Sequence, residues 1–170
     1  EGAYNLGMLT EANELQRLAN YLAFAGIPHR AARVMEKAMK EGQIESNAAN
    51  YKTLANYWHQ AKELDPAIDT LAKSYKLAPN AELQLKMARM MIQSKRYQDL
   101  VAFAAKPAAN ASGEQRADLK FLTGVAYFEQ QKPKEALSAF TQAAQNGNVS
   151  GRASPWISFL KEQQGGAVTQ

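Results

Sequence analysis

The chain has 170 residues, no cysteine, 46% apolar residues and a formal net charge of +4. That length holds one domain or one continuous repeat array, and the apolar fraction can fill a core, which argues against disorder. The missing thiols exclude disulfide frameworks, thiolate zinc sites and cysteine nucleophiles while leaving the compartment open.

Acidic and basic residues alternate along the chain, so its small positive excess does not call for nucleic acid. No run approaches about 18 consecutive apolar residues, which excludes direct membrane insertion. The opening Glu1-Gly2-Ala3-Tyr4 has neither a basic start nor an apolar signal core, and beginning on Glu rather than Met it reads as a fragment or as a processed chain whose targeting segment is missing.

In chain order, Tyr4 to Met8 reads as the tail of an earlier hairpin. Helix pairs are then predicted at 11–25 and 28–41, 46–61 and 65–77, 81–94 and 97–106, and 113–130 and 133–145. A last helix is expected at 152–163, with a flexible tail at 164–170. Thr10 and Ser46 are expected N-caps, as is Asp65 before Pro66. Ser112-Gly-Glu-Gln115 has the form of a capping box. Pro28, Pro66 and Pro133 fall at or near the starts of second helices, where a missing N–H costs nothing. Pro107 to Ser112 reads as a linker between hairpins three and four.

Internal echoes make this a repeat. Leu-Ala-Asn-Tyr occurs at Leu18–Tyr21 and at Leu54–Tyr57, a spacing of 36, and Gly7-Met8-Leu9 stands 35 before Gly42-Gln43-Ile44. Hairpin two has Tyr51, Leu54, Ala55 and Trp58, then Ala67, Leu71 and Ser74. Hairpin one has Leu15, Leu18, Ala19 and Leu22, then Ala31, Met35 and Ala38. Hairpin four has Gly124 and Tyr127, then Ala136, Phe140 and Ala143. Hairpin three is degenerate: Met87, Ala88, Met91 and Tyr97 fit, but Leu100 stands where a small residue is expected. Small residues let the paired helices approach, and bulky ones at helical spacing fill the seam between neighbours. Each hairpin leaves an apolar face that only stacking covers. Trp156 follows Gly147 by nine residues, as Tyr51 follows Gly42, and is expected to bury itself against hairpin four as part of a cap.

This pattern resembles the tetratricopeptide repeat superfamily over nearly the whole chain. The resemblance implies an all-α fold, an α-solenoid of antiparallel helix hairpins with about four hairpins and a C-terminal capping helix, over a single array at 1–163. More narrowly, Gly-Met-Leu-Thr at 7–10, Gln-Arg-Leu-Ala-Asn-Tyr-Leu at 16–22, Ala-Ala-Arg-Val-Met-Glu at 31–36, Tyr-Trp at 57–58 and Pro-Trp-Ile at 155–157 are similar to the tetratricopeptide proteins that accompany TonB–ExbB–ExbD systems of Gram-negative bacteria. That likeness implies a periplasmic location and an accessory role in nutrient uptake. It brings no catalytic residue.

The residues themselves offer little chemistry. His29 and His59 stand in different repeats, neither with a ligand at metal-motif spacing. There is no phosphate loop, nucleophile elbow or triad set. The chain is therefore expected to be no enzyme and to need no cofactor. Arg30, Arg33, Lys37 and Lys40 form a basic stripe, expected to be a solvated outer face of hairpin one; aromatic residues do not interleave with it as nucleic-acid binding favours.

In the superfamily the first helix of each hairpin lines a concave groove. That register assigns to a peptide-binding groove Gln16, Asn20 and Phe24, then Lys52, Asn56, His59 and Gln60, then Leu85, Arg89 and Ile92, and last Phe121, Val125 and Phe128. One end is polar and cationic, the other apolar. Lys52 and Asn56 match the Lys and Asn with which some members clamp a peptide carboxylate, although Glu82 and Lys86 in the third repeat leave that clamp incomplete. Phe121 and Phe128 equally suit packing beneath the cap helix. The expected function is that of a protein- or peptide-binding scaffold, as a monomer or weak homo-oligomer. The alternative is an assembly component that binds through its edges or convex face.

Overall fold

The computed structural model describes residues 11–166. The expected tail at Tyr4 to Met8, the Gly7-Met8-Leu9 echo and the Thr10 cap lie outside them, as do residues 167–170. Among the described residues all regular structure is helical. The helices are α1 (Ala12–Phe24), α2 (Pro28–Lys40), α3 (Ala48–Gln60), α4 (Leu64–Leu77), α5 (Ala81–Gln93), α6 (Tyr97–Ala104), α7 (Gly113–Glu129), α8 (Pro133–Ala143) and α9 (Gly147–Gly166). Two compact units divide the chain, one ending at Ala78 and the other starting at Pro79.

The first unit holds α1 to α4. Leu15, Ala19 and Leu22 put one apolar stripe of α1 inside, and Ala31, Met35 and Ala38 of α2 meet it, all buried. The second hairpin repeats the arrangement with Leu54, Ala55 and Trp58 against Ala67, Ile68 and Leu71, and α2 packs on α3. Ile44, fully buried, fills the connection between the hairpins. Ser74 holds its small-residue position and donates its hydroxyl to the Ala48 carbonyl at 2.8 Å. Two expected caps move. Asn47, rather than Ser46, caps α3 by accepting from the Asn50 amide at 2.9 Å. Asp65 lies inside the first turn of α4, where its charge favours the helix N-terminus.

The second unit holds α5 to α9. The capping box at Ser112 is formed: its hydroxyl accepts from the Gln115 amide at 3.2 Å, and the Gln115 side chain accepts from the Ser112 amide at 2.9 Å. The linker before it is tied down by Gln84, a buried polar residue of α5. Its side chain accepts from the Ala108 amide at 2.8 Å and donates to the Lys106 carbonyl at 3.0 Å. The final helix differs from expectation, starting at Gly147 and continuing to Gly166 with Pro155 inside it. Among its described side chains Val149, Ala153 and Leu160 are fully buried. Trp156 is partly buried and packs against hairpin four, as its repeat position predicts. It stacks on Phe140 at 5.2 Å from one edge of the core rather than filling its centre.

One turn recurs in all four hairpins. Gly26, Lys62, Lys95 and Gln131 each have positive φ, at 78°, 65°, 59° and 58°. The amide of the next residue then bonds back to the carbonyl five before it: Ile27 to Leu22, Glu63 to Trp58, Arg96 to Met91 and Lys132 to Tyr127. This is the Schellman arrangement, which satisfies the last carbonyls of a helix while turning the chain back.

Candidate functional site

In the first unit the expected groove residues come from neighbouring first helices that are bonded to each other. The Gln16 amide donates to the Asn50 side-chain oxygen at 3.3 Å, and the Tyr57 hydroxyl donates to the Asn20 side-chain oxygen. Tyr57 is buried, and burial pushes its phenol pKa up. One turn beyond Asn20 on the same stripe, Phe24 is 93% exposed. Lys52 is exposed, while Asn56 and His59 are half-buried on the matching stripe of α3. These side chains offer an ammonium, amides and an aromatic ring on one pair of adjacent helices.

The second unit distributes its expected residues differently. Arg89 is exposed and stands 3.8 Å from Asp118, which also pairs with Arg152 of α9. Ile92 is half-buried. Phe121 packs against Phe140 at 5.4 Å and carries the Arg152 guanidinium over its ring at 5.1 Å. Phe128 meets Trp156 edge-on at 5.0 Å and Phe159 at 6.1 Å, and Val125 packs on the same cluster. The cap helix thus takes part of the surface of all three apolar residues. Phe128 nevertheless borders an open apolar hollow of about 330 Å³ with Pro155, Trp156 and Phe159. Phe159 was not assigned a role from sequence, although its spacing of three from Trp156 puts both rings on one side of α9.

The basic stripe of α2 is exposed, and Arg30, Arg33, Lys37 and Lys40 also border a cleft of about 870 Å³ within the first unit. Its apolar lining is Leu18, Leu22, Val34, Met39 and Leu54, and Lys73 of α4 joins the cations. The cleft escapes a reading of α2 alone because α3 and α4 supply its other wall. Glu36 and Glu41 stand 3.4 and 3.9 Å from Arg33 and Lys37. Elsewhere His29 packs edge-on against Trp58 at 5.4 Å. Among the described residues no group of three or more His, Asp or Glu side chains is placed to hold a metal, and no helix is long and apolar enough to cross a membrane.

Solved structures share this fold. MamA of strain AMB-1 aligns with 91% of this chain and 89% of its own, with a TM-score of 0.61 and 21% identity. PilF of Pseudomonas aeruginosa aligns with 92% of this chain and 70% of its own, at 0.62 and 16%. The chain has a tetratricopeptide-type fold. MamA of Desulfovibrio magneticus RS-1 covers 90% of this chain and 94% of its own, at 0.55 and 13%. No protein-family model and no curated protein matches the sequence.

Proposed function

We propose that the chain is a non-catalytic scaffold that binds a protein or peptide through the first-helix stripes of its hairpins. The observation that carries this reading is Phe24, 93% exposed one turn from the Asn20–Tyr57 hydrogen bond that ties α1 to α3. An exposed Phe forgoes the roughly 1.5–3 kcal/mol that burial of such a side chain provides, which a partner's apolar side chain restores. Lys52 and Asn56 on the neighbouring first helix supply a charge and an amide for the partner's carboxylate or backbone. In the second unit, the hollow at Phe128 and Trp156 suits a single apolar anchor.

Within this function we further propose a periplasmic accessory role in TonB-type outer-membrane energy transduction. The support is the similarity of residues 7–10, 16–22, 31–36, 57–58 and 155–157 to proteins of those systems. A second reading, assembly through edges or the outer face, is favoured by Tyr21, Ile27 and Leu77, large apolar side chains that are exposed off the stripe.

Affinity for a partner recovered from periplasmic extract separates the two. Phe24→Ala with Lys52→Ala should weaken binding by about 2–4 kcal/mol with helicity unchanged. Unaltered binding in that variant, with loss in Tyr21→Ala/Ile27→Ala, would give the function to the assembly surface.

A further inference from the structure

The cleft of the first unit combines two features that solvated basic faces lack, a concave wall and an apolar floor. Arg30, Arg33, Lys37 and Lys40 recur at i, i+3, i+7 and i+10 along α2, a line of about 15 Å at 1.5 Å per residue. With Lys73 they set five cations against the two carboxylates of Glu36 and Glu41. Those two ion pairs join side chains that are 47–66% exposed. Exposed pairs of that kind hold weakly and exchange readily for a better-placed carboxylate. Leu22, Val34, Met39 and Leu54, all buried to within a few per cent, form the floor.

We propose that this cleft is a second protein-binding site, taking an acidic amphipathic helix of a partner. Carboxylates on successive turns of that helix meet the α2 stripe, and the neighbouring apolar residues rest on the floor. Charge complementarity selects the occupant. Nucleic acid lacks a stacking platform here, because Tyr51 is the one aromatic side chain in the lining and Lys73 covers its ring at 5.7 Å. A bilayer surface is too flat to reach the recessed floor. Gln16, Asn20, Phe24, Lys52, Asn56 and His59 do not line the cleft, so this site stands apart from the first-helix surface.

The test uses the full chain and a synthetic peptide of about four helical turns, with Glu at i, i+4, i+7 and i+11 and Leu on the adjacent face. Binding is read by peptide anisotropy and by methyl NMR shifts at Val34, Met39 and Leu54. The expected result is binding with shifts at those methyls. It should weaken about tenfold or more in Arg33→Glu/Lys40→Glu and in the milder Arg33→Gln/Lys40→Gln, whose circular dichroism verifies the fold. Replacing the peptide's Glu by Gln should weaken it comparably, whereas Phe24→Ala/Lys52→Ala should leave it unchanged. Absence of peptide binding, or binding indifferent to both α2 variants, overturns the proposal. So does preferential binding of phosphatidylglycerol vesicles or a short DNA duplex through the same residues.

Discussion

Gly124 leaves no space for a methyl group. A Cβ there would lie 2.7 Å from two carbons of the Phe140 ring. That ring cannot retreat, because Trp156 stacks on it at 5.2 Å and Phe121 tilts against it at 5.4 Å. Gly124→Ala gains up to about 1 kcal/mol of helix propensity and loses about 1–3 kcal/mol to overpacking. We expect net destabilisation of about 1–2 kcal/mol, read from denaturant unfolding; a stabilised variant would show that α7 and α8 are not in contact at this point. Tyr57 acts through its proton. Its buried phenol stays neutral at a pH where the unfolded chain ionises near 10, so its contribution to stability is fully present at neutral pH and is lost as pH rises above about 10. Tyr57→Phe should lower stability at pH 7 by about 1 kcal/mol, through the lost bond to Asn20, and make the alkaline decline shallower. An identical alkaline slope in both proteins would contradict this. Gly124 was legible in the sequence from its repeat position alone; the Tyr57–Asn20 bond was not, since it joins residues 37 apart on two helices.

At the scale of elements, boundaries were legible where a cap, a proline or the repeat register marked them. Pro28 and Pro133 open α2 and α8, and Ser112 caps α7. The last helix follows from the spacing of Trp156 after Gly147, and its earlier start at Gly147 is obscured by Gly151 and Pro155, residues that normally interrupt helices. The hairpin turns were hidden for the opposite reason. Only Gly26 announces the left-handed conformation that Lys62, Lys95 and Gln131 also adopt. Those three bear a steric cost of about 1–2 kcal/mol that glycine avoids, partly offset by glycine's greater unfolded-state entropy. Lys62→Gly should therefore raise stability by about 0.5–1 kcal/mol in thermal unfolding. A lower melting temperature would show that the Lys62 side chain holds the turn by other contacts.

For the whole molecule, repeat spacing carried the fold further than it carried the site. Small and bulky residues recur because helices must approach and seams must fill, so one sequence suffices to reveal the architecture. Surfaces answer to no such internal constraint. The stripe at Gln16, Asn20 and Lys52 followed from register, but the cleft beside α2 arises from four helices together and stayed invisible in any single segment. The central claim is that the first-helix surface of the first unit receives a protein partner. It is tested most directly by photo-crosslinking in cells, with a benzophenone amino acid placed in turn at Phe24, Lys52 and Asp69, the last an exposed residue of α4. The account predicts one common adduct from Phe24 and Lys52 and none from Asp69; an adduct from Asp69 alone would contradict it.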